Sequence, residues 1–347
     1  MVENNQTDQP DYTSKDTDEL ETLARLGDTS AMCELAWRLR TGEHGVTIDK
    51  KRAFSLFKKV ADAKDPVGLN HLGMCYEDGV GVRPDASLAA RLYRKAAELG
   101  LGAAQNNFGN AYYFGIGVKK NLPQAIRWFQ KAADQGVAAA QNTLGRCYLH
   151  GEGVPEDPEK ACNLFEMAAQ NGSLEALANL AMGYLSGRGR ALDYKKAAEL
   201  LQEAVDKDSA TACCNLAYMY SNGLGVERDV EKAFQLYFKS AQLNCASAFL
   251  PLAHAYEEGI GTNVNLYLAT QWYSRAAQLG NRLAQWKYKA LASVQRQTLS
   301  DALTNPDGGK VEHVNMSVAY DIPSPEPTKP QASNESLEPA DSQQTEE

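Results

Sequence analysis

The feature that most constrains this chain is a repeat of 36 residues. Two glycines separated by one residue mark each copy, and an Asp or Asn follows the second glycine four residues later. The second glycines are Gly81, Gly117, Gly153, Gly189, Gly225 and Gly261, and Gly45 extends the series towards the N-terminus. The Asp/Asn positions are Asp49, Asp85, Asn121, Asp157, Asp193, Asp229 and Asn265. A period of about 20 to 50 residues is typical of repeat arrays, so we predict about seven tandem units.

Each unit reads as two helices joined by the glycine loop. An Asp or Asn side chain accepts hydrogen bonds from the free N–H groups of a first helical turn, so this position predicts the start of the second helix. A glycine such as Gly136 predicts its end, because glycine readily adopts positive φ. Small residues such as Gly109 recur inside the first helix beside large ones, which favours close helix packing. One hairpin cannot bury its apolar face alone, so we predict stacked hairpins.

The third unit, AAQNNFGNAYYFGIGVKKNLPQAIRWFQKAADQG, shows the full pattern of small residues, Tyr, Gly-x-Gly-Val, Asp/Asn, aromatic residue and Lys-Ala-Ala. With the second and fourth units it resembles the Sel-one-like repeats (SLR), which are relatives of the tetratricopeptide repeats. The resemblance covers roughly residues 28–295. It implies an all-α, right-handed α-α superhelical solenoid that acts as an adaptor. It leaves the partner open, because members of the family share a scaffold and differ in biology.

We divide the chain into a solenoid and two tails. Residues 1–17 and 300–347 are polar and acidic, and such a composition cannot offset the entropy of ordering, so both are predicted to be disordered. The solenoid is predicted over 18–299, opening with a cap in which Asp18 and Glu21 have capping-box spacing. Its units are predicted near 28–64, 65–100, 101–136, 137–172, 173–208, 209–244 and 245–280, with a closing cap at 281–299.

Three departures from the repeat carry expectations of their own. The first unit has one residue more between its glycines, Gly42 and Gly45. The fifth unit has Arg190 where Val recurs, so we expect that loop to differ. Pro251 falls inside the first helix of the seventh unit and is expected to bend or open it.

Charge and cysteine content narrow the possible partners and compartments. The formal net charge is −9, but residues 1–20 carry −5 and residues 304–347 carry −7, which leaves +3 for the body. This balance argues against a nucleic-acid partner. We see no signal peptide and no transmembrane segment, and the seven cysteines are an odd number, so we expect reduced thiols and a cytoplasmic, monomeric protein.

Motifs for catalysis are absent from the sequence. It contains no Walker A run, no G-x-S-x-G and no H-E-x-x-H, and no His lies beside a Cys or a carboxylate pair at metal-ligand spacing. We therefore expect no catalytic residues, no cofactor, no metal and no enzymatic activity. Cys147 and Cys162 could face each other across one hairpin, and we interpret both as buried thiols, with a disulfide in an exported protein as the alternative.

We expect function on the face of the first helices, which line the concave side of helical-hairpin solenoids. Amide and aromatic side chains gather there, and they suit the backbone and side chains of an extended peptide. The predicted partner-binding residues are His71, Met74, Asn106, Asn107, Asn110, Tyr113, Phe114, Arg146, Asn179, Asn215, Tyr218 and His254. The alternative is that the asparagines bond neighbouring units.

We therefore predict a non-catalytic adaptor or scaffold that binds a protein or an extended peptide. Two other functions remain open. One is a co-chaperone or assembly factor of a multiprotein complex. The other is an exported protein that binds or hydrolyses β-lactams, as some relatives do.

Overall fold

The computed structural model describes residues 12–304, with side chains up to residue 296, and this part of the chain contains sixteen α-helices and no strand. The first helices of seven hairpins are α2 (Thr29–Thr41), α4 (Pro66–Asp78), α6 (Gly102–Phe114), α8 (Ala138–His150), α10 (Leu174–Ser186), α12 (Ala210–Asn222) and α14 (Phe249–Glu258). The second helices are α3 (Lys50–Asp62), α5 (Ala86–Glu98), α7 (Leu122–Asp134), α9 (Pro158–Gln170), α11 (Tyr194–Asp206), α13 (Val230–Gln242) and α15 (Leu266–Gln278). The flanking helices are α1 (Thr17–Arg25) and α16 (Arg282–Thr304). The parts of the predicted tails at 1–11 and 305–347 lie outside the described residues.

The chain divides within α10 into two compact units. The first runs up to Ala176 and takes in Arg188–Arg190, and the second comprises Leu177–Gly187 and everything from Ala191 onwards. In the first, each helix from α1 to α9 packs against its sequence neighbours, and in the second the helices from α11 to α16 do the same. This succession of packed hairpins confirms the predicted all-α solenoid class.

The recurring Asp/Asn starts every second helix, as predicted. Each of these seven side chains accepts a hydrogen bond from the backbone N–H three residues later, at 2.9–3.1 Å. From the second unit onwards the same residue also donates its own N–H to the carbonyl of a first-helix tyrosine, as Asp85 does to Tyr76 at 2.9 Å. The predicted stop at Gly136 is also confirmed, since α7 ends at Asp134 and Gly136 has a φ of +77°.

The second glycine of the loop touches the preceding hairpin. Gly117 has a φ of +70°, and a Cβ added to it would lie 2.0 Å from the carbonyl oxygen of Ala86, the first residue of α5. A Cβ added to Gly81 would likewise lie 2.1 Å from the carbonyl oxygen of Lys50. No side chain fits such a gap, so glycine is required by both the backbone angle and the close approach.

The small column inside the first helices faces an aromatic residue of the second helix. A Cβ on Gly109 would lie 2.7 Å from the ring of Phe129, which is fully buried. Gly73 faces Tyr93 and Gly145 faces Phe165 in the same way, each at 2.6 Å. Large residues against small ones therefore set the helix spacing, as the sequence predicted.

The departures from the repeat have different outcomes. The extra residue of the first unit is absorbed in a 3-10 turn, Glu43–Gly45, in which His44 has a φ of +54°. In the seventh unit a 3-10 turn, Ala246–Ala248, replaces the first turn of the first helix. Pro251 lies early in α14, so this helix is opened near its start, as expected. The expectation for Arg190 was wrong. Gly189 keeps a φ of +79°, and the half-buried Arg190 side chain bonds to Asn163 and Glu166 on α9.

The N-terminal segment also differs from the prediction. The cap of α1 is Asp16, which accepts from the Glu19 N–H at 2.7 Å, because Asp18 already lies inside the first turn. Residues 12–16 are ordered rather than part of a disordered tail. The guanidinium of Arg38, only 1% exposed, donates to the carbonyls of Lys15 and Thr13, both at 2.8 Å, and to the Glu34 carboxylate at 2.7 Å.

Candidate partner-binding face

All predicted binding residues lie on first helices, but they differ in how far they reach the surface. Those from His71 to Arg146 belong to the first compact unit, on α4, α6 and α8. Asn179, Asn215, Tyr218 and His254 belong to the second.

The C-terminal half of α6 and the adjoining α8 form what we call the amide–aromatic patch, made of Asn110, Tyr113, Phe114 and Arg146. Phe114 is 49% exposed and meets Tyr113 edge to face, with ring centroids 4.8 Å apart. Asn110 and Arg146 are half-buried. No hydrogen bond among the described residues involves the Asn110 side chain, so its donor and acceptor are both available to a ligand.

Tyr113 is held in place from the next hairpin. Its hydroxyl donates to the Glu152 carboxylate in the loop after α8, and the Lys120 ammonium lies 5.9 Å from its ring centroid. Burial, and then the bond to Glu152, raise the pKa of Tyr113, so the phenol stays protonated. The ring is thus oriented before a partner arrives, which lowers the entropy lost on binding. Glu152 was not among the residues predicted from the sequence, although its position in the adjacent glycine loop was a usable signal.

The neighbouring asparagines are less available, since Asn107 is bonded to the preceding hairpin and Asn106 is buried. Asn107 donates to Asn70 of the preceding hairpin at 2.9 Å, which is the structural alternative weighed from the sequence. Asn106 is buried, with its Oδ1 unpartnered, because it lies one position further round the helix and points into the protein. The prediction that Asn106 projects from the surface was therefore wrong.

His71 is half-buried and packs within the first unit. Its ring stacks on Phe57 with centroids 4.8 Å apart and lies 5.8 Å from Trp37. Burial, and then the nearby Arg40 charge, lower the pKa of His71 to about 4. A neutral imidazole in an aromatic setting is a packing residue, so His71 does not offer a partner a charge. Met74 is half-buried as well.

In the second unit Tyr218 is the most accessible aromatic of the predicted set, at 49% exposure, and Asn215 and Asn179 are half-buried. His254 is exposed, and with Glu257 and Glu258 it offers three ligand atoms within 4.8 Å of one another, the one such group among the described residues. Glu257, however, already accepts bonds from Lys287 at 2.8 Å and from Tyr273 at 2.6 Å. Glu257 is therefore already engaged by a cation and a phenol, and the expectation that no His lies beside a carboxylate pair at metal-ligand spacing was wrong at His254.

The thiols suggested for a disulfide are free. Cys147 and Cys162 are both unpaired and buried, and burial raises the pKa of each. Cys162 donates to the carbonyl of Arg188 at 3.6 Å. These thiols are protonated packing residues.

These features define a helical-hairpin repeat protein with an accessible first-helix face. No helix within residues 12–304 combines the length and apolar character needed to span a membrane. The chain belongs to the Sel1 repeat family, whose profile matches residues 29–65, 66–101, 102–137, 138–173, 174–209, 210–245 and 252–281.

Two solved structures support this assignment. A Sel1 repeat protein from Oxalobacter formigenes is 28% identical, with a TM-score of 0.64, over 71% of this chain and 96% of its own. The protein c5321, a protective antigen of uropathogenic Escherichia coli with an SLR fold, is 29% identical, with a TM-score of 0.62. That match covers 80% of this chain but only 59% of c5321. A search of curated proteins found no match.

Proposed function

We propose that this protein is a non-catalytic adaptor that binds an extended segment of a partner protein on the first-helix face, with the amide–aromatic patch as its centre. The observation that carries the proposal is the arrangement of Asn110, Tyr113 and Phe114 on one turn of α6. The exposed Phe114 ring and the unengaged Asn110 amide share this turn, and a part-buried bond to Glu152 fixes the Tyr113 ring beside Phe114.

The chemistry of the patch suits a peptide backbone. A free carboxamide can donate to a peptide carbonyl and accept from a peptide N–H at the same time. Aromatic rings supply contact area with few rotatable bonds, and such anchors dominate the energetics of many interfaces. Arg146 adds a positive charge at the edge of the patch, which favours a peptide with an acidic residue.

The test begins with a selection of random dodecapeptides displayed on phage against the full chain. The dissociation constants of selected peptides are then measured by fluorescence anisotropy for wild type, Asn110→Ala and Phe114→Ala. We expect both variants to weaken binding about tenfold or more, the effect of losing an anchor worth about 1.4 kcal/mol.

Met167→Ala is the matched control. Met167 lies on the second helix α9 and is 45% exposed, close to the 49% of Phe114, so it tests loss of exposed apolar area on another face. We expect its affinity to equal that of wild type within twofold. Equal affinities for all variants, or no selected peptide at all, would refute the proposed site.

A further inference from the structure

Helix α16, in the second compact unit, occupies the place of an eighth first helix. It has 23 residues, whereas α12 has 13 and is followed by a glycine loop. The Gln295 amide donates to the carbonyl of Leu266, the first residue of α15, at 3.1 Å. The equivalent carbonyl of Ala86 is the one that Gly117 touches. A straight helix with a bonded glutamine thus takes the place of the glycine loop.

Trp286 on α16 lies at a repeat position that the following hairpin normally covers. Its side chain is 64% exposed. The same position is at most 9% exposed in α4, α6, α8, α10 and α12, where it is held by Asn70, Asn106, Asn142, Ala178 and Cys214. In the first unit, Asn70 accepts a hydrogen bond from Asn107 of the next first helix. The repeat therefore shapes this position for contact with another helix, and within residues 12–296 that contact is missing at Trp286.

The first and last helices differ in the polarity of their exposed sides. A terminal helix with a polar outer face keeps a repeat array soluble. Helix α1 follows this rule, since its exposed positions are Asp18, Glu19, Thr22 and Arg25. Helix α16 does not, because Leu283 is 53% exposed and Trp286 still more so. An apolar surface of this kind on a terminal helix indicates an interaction site.

The exposed side of α16 has a regular pattern, which we call the α16 seam. Its apolar row consists of Leu283, Trp286, Ala290 and Val294, which follow one another at spacings of three, four and four residues and are all exposed. Its basic row consists of Arg282, Lys289 and Arg296, which are exposed and recur every seven residues. No Asp or Glu occurs from residue 280 to residue 300. An apolar row flanked by charges at a seven-residue repeat is the pattern that pairs helices in coiled coils.

The opposite side of α16 is fixed to α14 and α15. Ala284 is fully buried. The Lys287 ammonium donates to the Glu257 carboxylate of α14 at 2.8 Å, and Gln295 also donates to the Thr270 hydroxyl of α15 at 3.1 Å. The direction of the α16 seam is therefore set before a partner arrives, which lowers the entropy lost on binding.

We propose that the α16 seam is a docking surface for an amphipathic helix of a partner protein, in which Asp or Glu side chains flank the apolar row. The two apolar rows pack together, and the acidic side chains pair with the basic row. A second copy of this face offers cations and no carboxylate, so pairing two copies would bring like charges together. This inference goes beyond the proposed function, which concerns the amide–aromatic patch of the first compact unit.

The first test uses the wild-type full chain and two fluorescein-labelled synthetic peptides of about three heptads, both with Leu at positions a and d. One peptide carries Glu at positions e and g, and the other carries Lys. We expect fluorescence anisotropy to show that the acidic peptide binds at least about tenfold more tightly than the basic one, and that added salt reduces this preference. Equal affinities for the two peptides, or no binding of the acidic peptide, would overturn the proposal.

The second test compares variants with the same peptides. Leu283→Ala is expected to weaken binding of the acidic peptide about tenfold. Leu192→Ala is the matched control, since Leu192 lies in the loop before α11 and is 57% exposed, and its affinity should equal that of wild type within about twofold. Lys289→Glu should weaken the acidic peptide about fivefold and strengthen the basic peptide by a similar factor, because it reverses one charge pair. Equal losses for Leu283→Ala and Leu192→Ala, or no change of preference in Lys289→Glu, would contradict the proposed contacts.

Other occupants of the α16 seam have distinct signatures in the full chain. A dimer in sedimentation velocity that Trp286→Ala abolishes would assign the face to a second copy. Pelleting with phosphatidylserine vesicles that Trp286→Ala abolishes would assign it to a lipid surface. A carbodiimide cross-link between Lys289 and an acidic residue of 305–347 would assign it to the chain's own C-terminal segment. Any of these three results would overturn the proposal.

Discussion

The contact between a loop glycine and the preceding hairpin gives a sharp prediction for Gly117→Ala. Gly117 has a φ of +70°, and a Cβ there would lie 2.0 Å from the Ala86 oxygen and 2.5 Å from its carbonyl carbon. Both are backbone atoms, so no side-chain rotation relieves the contact. The loop or the start of α5 has to move.

Gly100→Ala is the matched control. Gly100 has a φ of +96°, and a Cβ there would meet no atom within 4 Å. Placing alanine in the left-handed region costs about 1–2 kcal/mol at both positions, and the loss of unfolded-state entropy is the same for both. The difference in the free energy of unfolding between the two variants therefore measures the steric contact alone. We expect it to be about 2 kcal/mol, the usual cost of overpacking.

Urea unfolding followed by circular dichroism measures this difference. With a slope of about 2 kcal/mol per molar urea, Gly117→Ala is expected to unfold at a concentration about 1 M lower than Gly100→Ala. Equal midpoints would mean that the loop does not press on α5 in solution, and the explanation of the second glycine as a close-approach residue would fail.

Three further predictions concern packing, protonation and capping. Gly109→Ala is expected to cost about 2 kcal/mol against the Phe129 ring, and adding Phe129→Leu should lose less than the sum of the two single effects in a double-mutant cycle. Below pH 6.5 the unfolded chain binds a proton that half-buried His71 does not bind until about pH 4, so stability should fall as the pH drops through this range. The urea midpoint of wild type should therefore decrease between pH 6.5 and about pH 4, and that of His71→Phe should decrease less. Asp85→Ala should cost about 1 kcal/mol by thermal melting, whereas Asp85→Asn, which keeps the acceptor, should cost far less.

Local chemistry explains how much of this fold was predictable. The Asp85 cap and the Gly136 stop depend on residues within one turn, so the sequence pattern was sufficient for both. Asn106 and Asn107 show the limit. Adjacent helical positions differ by about 100° in direction, and only the packing of hairpins decides which of them is buried and which meets Asn70.

The same limit applies to groups joined across hairpins. The bond from Tyr113 to Glu152 links residues of two hairpins that no local pattern relates.

The loop glycines have a consequence for how such chains diversify. At Gly81 and Gly117 the touching partner is the backbone of the preceding hairpin, and backbone is the same whatever side chain is attached to it. This contact between consecutive units therefore does not depend on the residues displayed on the first helices. The same position of the repeat is occupied by Met74, Asn110 and Arg146 in successive units, and the glycine contact between units is unaffected. A duplicated unit can thus acquire a new surface by point mutation while the duplication itself remains foldable.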